Sequence, residues 1–93
     1  MTTIPDATLD FHRDKPLTEL EISMDTEEFL RDCSDKQFSM VLIIVGKGKS
    51  PQSRQLAKRV VTEVLKTSKL IRKFKTAEPE NGGEGAIEVW LKN

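Results

Sequence analysis

Met40-Val41-Leu42-Ile43-Ile44-Val45-Gly46-Lys47-Gly48-Lys49-Ser50-Pro51 decides how this chain folds. Met40–Val45 is unbroken apolar and rich in branched side chains. That composition suits a central strand covered on both faces, with parallel neighbours. The Gly-Lys-Gly-Lys-Ser-Pro stretch that follows breaks the strand sharply. A helix is then expected over about 52–67, with Leu56, Val60, Val61, Val64 and Leu65 as its buried stripe. Strand, glycine turn and helix in immediate succession form the crossover unit of an α/β protein.

Upstream, Ala7–Phe11 reads as a short strand. Leu9 and Phe11 share one face and Asp10 the other. Pro16 ends any extension of it. Thr18 and Glu21 then fit a capping box, with Leu17 and Ile22 at the staple positions. Ile22, Thr26, Phe29, Leu30 and Cys33 follow at helical spacing, so Cys33 reads as a small core hydrophobe. An alternative starts this helix near Asp25 and leaves 20–24 extended. Downstream, Leu70–Phe74 and Ala86–Leu91 read as strands around a turn-rich loop, Thr76–Gly85, that contains Pro79 and Gly82-Gly83. Residues 1–6 are expected to be a disordered arm, and 7–93 one domain.

The element order is thus β-α-β-α-β-β. Helical crossovers imply parallel pairing among the first three strands. The last loop is too short for a crossover, so strand four runs antiparallel. Two helices cover one face of a four-stranded sheet, giving a two-layer α/β sandwich. The other face, carrying Trp90, is expected to be partly open.

Composition narrows the function. With 93 residues the chain makes one small domain. One cysteine and one histidine exclude an internal disulfide and argue against a zinc site, and no other metal or cofactor motif is present. The longest apolar runs fall far short of a membrane span, and the N-terminus lacks a basic-then-apolar leader. A cytoplasmic protein with no membrane partner is expected. Its 15 basic and 15 acidic residues balance. They are segregated, however. Residues 1–46 carry 4 basic and 10 acidic side chains, residues 47–75 carry 10 and 1, and residues 76–93 carry 1 and 4. Clustered Lys and Arg release counterions from nucleic acid, so the middle block is read as a phosphate-facing surface.

The chemistry converges on one end of the sheet. Ligands of open α/β sheets bind outside the carboxyl ends of the strands. Asp10 and His12 end the first strand there, and Gly46, Lys47, Gly48, Lys49 and Ser50 end the second. Glycines permit close ligand approach, the helix start offers free N–H groups, and the lysines add full charge. Glycines at such a junction also serve simply as turn residues. The triplet Gly48-Lys49-Ser50 does not make a nucleotide-triphosphatase loop, because Ile43 stands where that motif needs glycine. In the D-x-H spacing, Asp10 and His12 share one side of an extended backbone. A carboxylate can orient the imidazole there as a general acid or base.

These motifs resemble the Smr (small MutS-related) domain. Leu9-Asp10-Phe11-His12 is similar to its L-D-x-H opening, and Val41–Gly48 to its strand and G-x-G turn. Phe74 with Ala77, then Gly82-Gly83-Glu84-Gly85-Ala86, is similar to its F-x-x-A and G-G-x-G-A ending. The resemblance implies a fold like the C-terminal domain of translation initiation factor three, with strand order 1-2-4-3. It also implies a nucleic-acid-binding domain, often an endonuclease that nicks DNA or cleaves RNA, including messenger RNA on stalled ribosomes. On that reading Asp10 and His12 are catalytic. The family's G-x-G turn carries over to Gly46, Lys47 and Gly48; with Arg13, Lys49, Ser50, Arg54 and Lys58, taken from the charge and turn of this chain, these are the expected nucleic-acid-binding residues, and no metal is assigned. The family usually has glycine where Arg13 stands, and histidine or threonine where Val45 stands. The rival reading is therefore a binding module, on RNA, the ribosome or DNA, without cleavage. Trp90 is read either as a base-stacking residue or as packing or an oligomer contact.

Overall fold

The computed structural model describes residues 4–11, 18–46 and 51–92. Its elements are β1 (Thr8–Asp10), α1 (Glu19–Asp35), β2 (Met40–Ile44), α2 (Pro51–Thr67), β3 (Ile71–Thr76) and β4 (Ala86–Leu91). Two short 3₁₀ turns, Pro79–Asn81 and Gly83–Gly85, precede β4.

α1 begins where its cap places it. The Thr18 hydroxyl accepts from the Glu21 N–H at 3.1 Å, and the Glu21 carboxylate accepts from the Thr18 N–H at 3.0 Å. Two orphan donors are satisfied reciprocally, so the helix does not wait for Asp25. The staple partner Leu17 lies outside the described residues. Ile22, Thr26, Leu30 and Cys33 are buried and Phe29 packs half-buried beside them. The fully buried Thr26 hydroxyl donates to the Ile22 carbonyl at 2.7 Å, which meets its hydrogen-bonding need within the helix. α2 opens on Pro51, one residue earlier than the apolar spacing suggested. Proline lacks the N–H that a first helical residue cannot use. Its stripe is Ala57, Val60, Val61, Val64 and Leu65, with Leu56 only half-buried at the margin.

The sheet order is β1-β2-β4-β3. β1 pairs parallel with β2, and β4 is antiparallel to both β2 and β3. The third strand therefore runs in the same direction as the first two but does not pair with them, because β4 lies between. One main core joins both helices to sheet residues of one parity: Val41, Ile43, Ile87, Val89 and Leu91. β1 obeys the same alternation, with Leu9 on the core and Asp10 on the helix-free side. Before it, the Asp6 carboxylate accepts from the Ser39 and Met40 N–H groups at 2.8 and 3.2 Å, tying residue 6 to the start of β2.

β3 contains a bulge. Ile71 pairs with Leu91, but Lys73 pairs with Trp90, so Arg72 and Lys73 together oppose one residue. Ile71 and Phe74, three apart, can then both meet the main core, while Lys73 and Lys75 turn to the other face. The strand runs on to Thr76, past the last apolar residue, because an edge strand needs only its ladder to β4.

The helix-free face is closed at one end. Leu42, Ala77 and Ala86 form a small buried cluster there, and Ala77 donates to the Ala86 carbonyl at 3.0 Å. Glu88, only 2% exposed, accepts from the Glu78 N–H at 2.9 Å and from the Asn81 amide at 3.1 Å. These bonds hold the first 3₁₀ turn against the sheet. Gly82 and Gly83 take positive φ (115° and 58°) to reverse the chain. Among the described residues, Trp90 at the other end of this face stays half-buried, and Thr8 and Asp10 of the edge strand β1 are exposed.

Burial, with the nearby Asp32 charge adding to it, pushes the Cys33 thiol pKa up. Thiolate is the reactive species. Native protein should therefore label with a thiol reagent more than about tenfold slower than urea-unfolded protein. Equal rates would place Cys33 in an opened helix.

Candidate nucleic-acid interface

The end of β2 is locked from across the sheet. The Gly85 carbonyl accepts from both the Val45 and the Gly46 N–H, each at 2.8 Å. Gly46 and Gly85 approach so closely that a Cβ on Gly46 would lie 2.5 Å from the Gly85 Cα. The glycine at the end of β2 is thus required by the backbone of Gly85, thirty-nine residues later in the chain, which leaves no space for a side chain on Gly46. Sequence reasoning assigned no site role to Gly85. The antiparallel pairing of Ile44 with Ala86 is what brings it here.

Beside this contact lies a cleft of about 260 Å³, walled by Gly46 and Gly85, by Arg54 and Lys58 of α2, and by Glu84. Lys58 is exposed and Arg54 half-buried. Two cations and a backbone turn on one cleft suit an anionic oxygen. Glu84 opposes them from the rim, a residue the charge-block reading did not connect with this surface. Arg59, the next cation on α2, is held by Glu19 of α1 and by Glu63, so it serves the helix pair.

β1 and β2 run parallel, which puts Asp10 beside Ile44 at the same sheet end as the turn. Asp10 is exposed there. Asp10, Gly46, Arg54 and Lys58 are therefore gathered at one end of the molecule. His12, Arg13, Lys47, Gly48, Lys49 and Ser50 lie outside the described residues. Val45, where the family commonly carries a polar side chain, is buried in the main core. Among the described residues, no group of three His, Cys, Asp or Glu side chains is placed to hold a metal ion, and no helix is long and apolar enough to cross a membrane.

The basic block is split between two surfaces. Arg54 and Lys58 serve the cleft, while Arg72, Lys73 and Lys75 are exposed on β3 at the far edge of the sheet. Lys75 donates to Glu78 at 3.0 Å, and that hydrogen bond, with the Glu78 charge, raises the ammonium pKa.

The sequence profile of the Smr domain matches residues 9–92. Comparison with curated proteins gives no match. Among solved structures, the fold is similar to YdaL, a stand-alone small MutS-related protein from Escherichia coli, with a TM-score of 0.79 and 25% identity. That match covers 92% of this chain and 64% of the other, so this chain spans a little under two-thirds of that protein's length. It is also similar to the Smr domain of Thermus thermophilus MutS2, with a TM-score of 0.71 and 25% identity over 94% of this chain and 99% of that one. The strand order, the glycine contact and the aspartate at the end of β1 agree with this assignment: the chain belongs to the Smr domain family, nucleic-acid-binding domains related to MutS.

Proposed function

We propose that this domain binds nucleic acid at the carboxyl end of β1 and β2 and cleaves RNA there. The observation that carries the reading is that Asp10, on the helix-free side, and the cleft of Gly46, Arg54 and Lys58, on the helix side, lie at the same end of the sheet. Phosphates lie along the cleft, steered by Lys58, Arg54 and the two lysines of the turn. His12 takes the proton of a ribose 2′-OH, and Asp10 orients the imidazole. The freed oxygen attacks the adjacent phosphorus and the bond to the 5′-oxygen breaks. The imidazolium returns the proton to that oxygen. A lysine offsets the charge gathering on the phosphorane. RNA carries its own nucleophile in the 2′-OH, whereas DNA needs an external one. This single-histidine site therefore suits RNA better.

A second reading is a module that binds RNA, the ribosome or DNA without cutting. Burial of Val45 favours it, because no side chain from that position reaches a substrate.

End-labelled single-stranded RNA, duplex RNA and supercoiled plasmid, each incubated with EDTA and with Mg²⁺, test both readings. RNA cleavage in EDTA supports the proposed chemistry. Salt-sensitive binding without cleavage selects the second reading, and absence of binding defeats both. Within the binding assay, Lys58→Glu should weaken affinity similarly for all sequences and lower the salt slope by about one. An unchanged slope would remove Lys58 from the interface.

A further inference from the structure

We infer that the end of the helix-free face built on Trp90, Lys73 and Lys75 is a stacking platform for single-stranded nucleic acid, separate from the cleft at the β2 end. This inference deepens the nucleic-acid-binding reading and rests on it.

Three observations carry it. Trp90 is only half-buried on β4, on the face that no helix covers. Lys73 Nζ lies 4.8 Å and Lys75 Nζ 5.8 Å from the ring centroid. The β3 bulge aims Lys73 at this ring. In unbroken register Lys73 would oppose Val89 and point into the main core. A bulge that moves a lysine from a core-facing position onto an exposed indole is a local device, because bulges re-aim side chains.

The chemistry selects the occupant. An indole offers a π face to any base once the exposed Lys73 swings off it, and Lys73, with Lys75 exchanging its exposed pair with Glu78, then offers ammonium partners to the flanking phosphates. A duplex keeps its bases stacked on one another, so the platform requires a single strand. Trp90 pairs with Met40 at the start of β2, whereas Asp10 lies beside Ile44 near its end. The platform therefore stands four residues, about 13 Å, along the strand from the proposed cleavage end.

Trp90 is the sole tryptophan and the chain has no tyrosine, so its emission reports this site alone. The whole chain is titrated with oligo(U), oligo(dT), a duplex of equal length and inorganic polyphosphate, following fluorescence and, with labelled oligonucleotides, anisotropy. Quenching is expected with both single strands, and little or none with duplex or polyphosphate. The two single-strand arms show whether ribose or deoxyribose is preferred. Trp90→Leu should weaken single-strand affinity by about 5- to 100-fold, and Trp90→Phe should keep most of it. The double change Lys73→Glu with Lys75→Glu alters only exposed side chains, leaves the fluorophore in place and should suppress the quench; circular dichroism checks the fold of each variant. Binding by anisotropy without quenching would overturn the platform while leaving the cleft reading intact. Equal quenching by polyphosphate would also overturn it, since charge alone would then move the lysines off the ring. No binding of any oligonucleotide would defeat both.

Discussion

Replacing His12 with alanine should slow RNA cleavage by about 10²–10⁴-fold, the usual contribution of a positioned general acid–base. Affinity for uncleaved RNA should hold within about threefold, because the cleft cations and the glycine turn are untouched. Single-turnover rates on end-labelled RNA give the first number and anisotropy the second. Asp10→Asn should cost less than the loss of His12, because the amide still fills the position but no longer favours the charged imidazolium. A 2′-deoxy sugar at the cut position should abolish cleavage there altogether. Undiminished cleavage by the His12 variant would assign the activity to other groups, and cleavage at the deoxy position would demand a different nucleophile.

Most of the fold could be read because its signals are local. Met40–Val45 announces a covered strand by composition, and Thr18 with Glu21 announces the start of α1 by a reciprocal cap that two residues make together. Two features escaped that reading for one reason. The β3 bulge was visible only as an awkward spacing, Ile71 and Phe74 both apolar and three apart, which a period of two cannot place on one face. The role of Gly85 depends on pairing between residues forty apart, and no local pattern encodes it. The charge block was legible as a total but not as a surface. Among its described residues the block spans a helix and an edge strand, and these carry cations to opposite sides of the sheet. The proposed cleft and the proposed platform are two consequences of that one basic segment.

Gly46→Ala tests the contact on which the cleft is built. The added methyl would sit 2.5 Å from the Gly85 Cα and 3.2 Å from its carbonyl oxygen. Both atoms are backbone, so no side chain can swing aside to make room. Relief requires β2 and the loop before β4 to separate, and the Gly85 carbonyl then loses the Val45 and Gly46 N–H groups together. Overpacking and two weakened hydrogen bonds amount to about 2–4 kcal/mol. Against a stability of about 5–14 kcal/mol for a chain this long, that is a large fraction. Tm should fall by about 10–20 °C. Gly85→Ala is the matched control. Its methyl would meet the Gly46 Cα at 3.4 Å, ordinary contact, and its φ lies outside the left-handed region. It should cost less than about 1 kcal/mol. Thermal and urea unfolding of both variants measure the asymmetry, and equal losses would show that the two backbones can part freely. If the asymmetry holds, Gly46→Ala should also weaken RNA binding at temperatures where it remains folded, because the displaced Gly46 forms one wall of the cleft that Arg54 and Lys58 line.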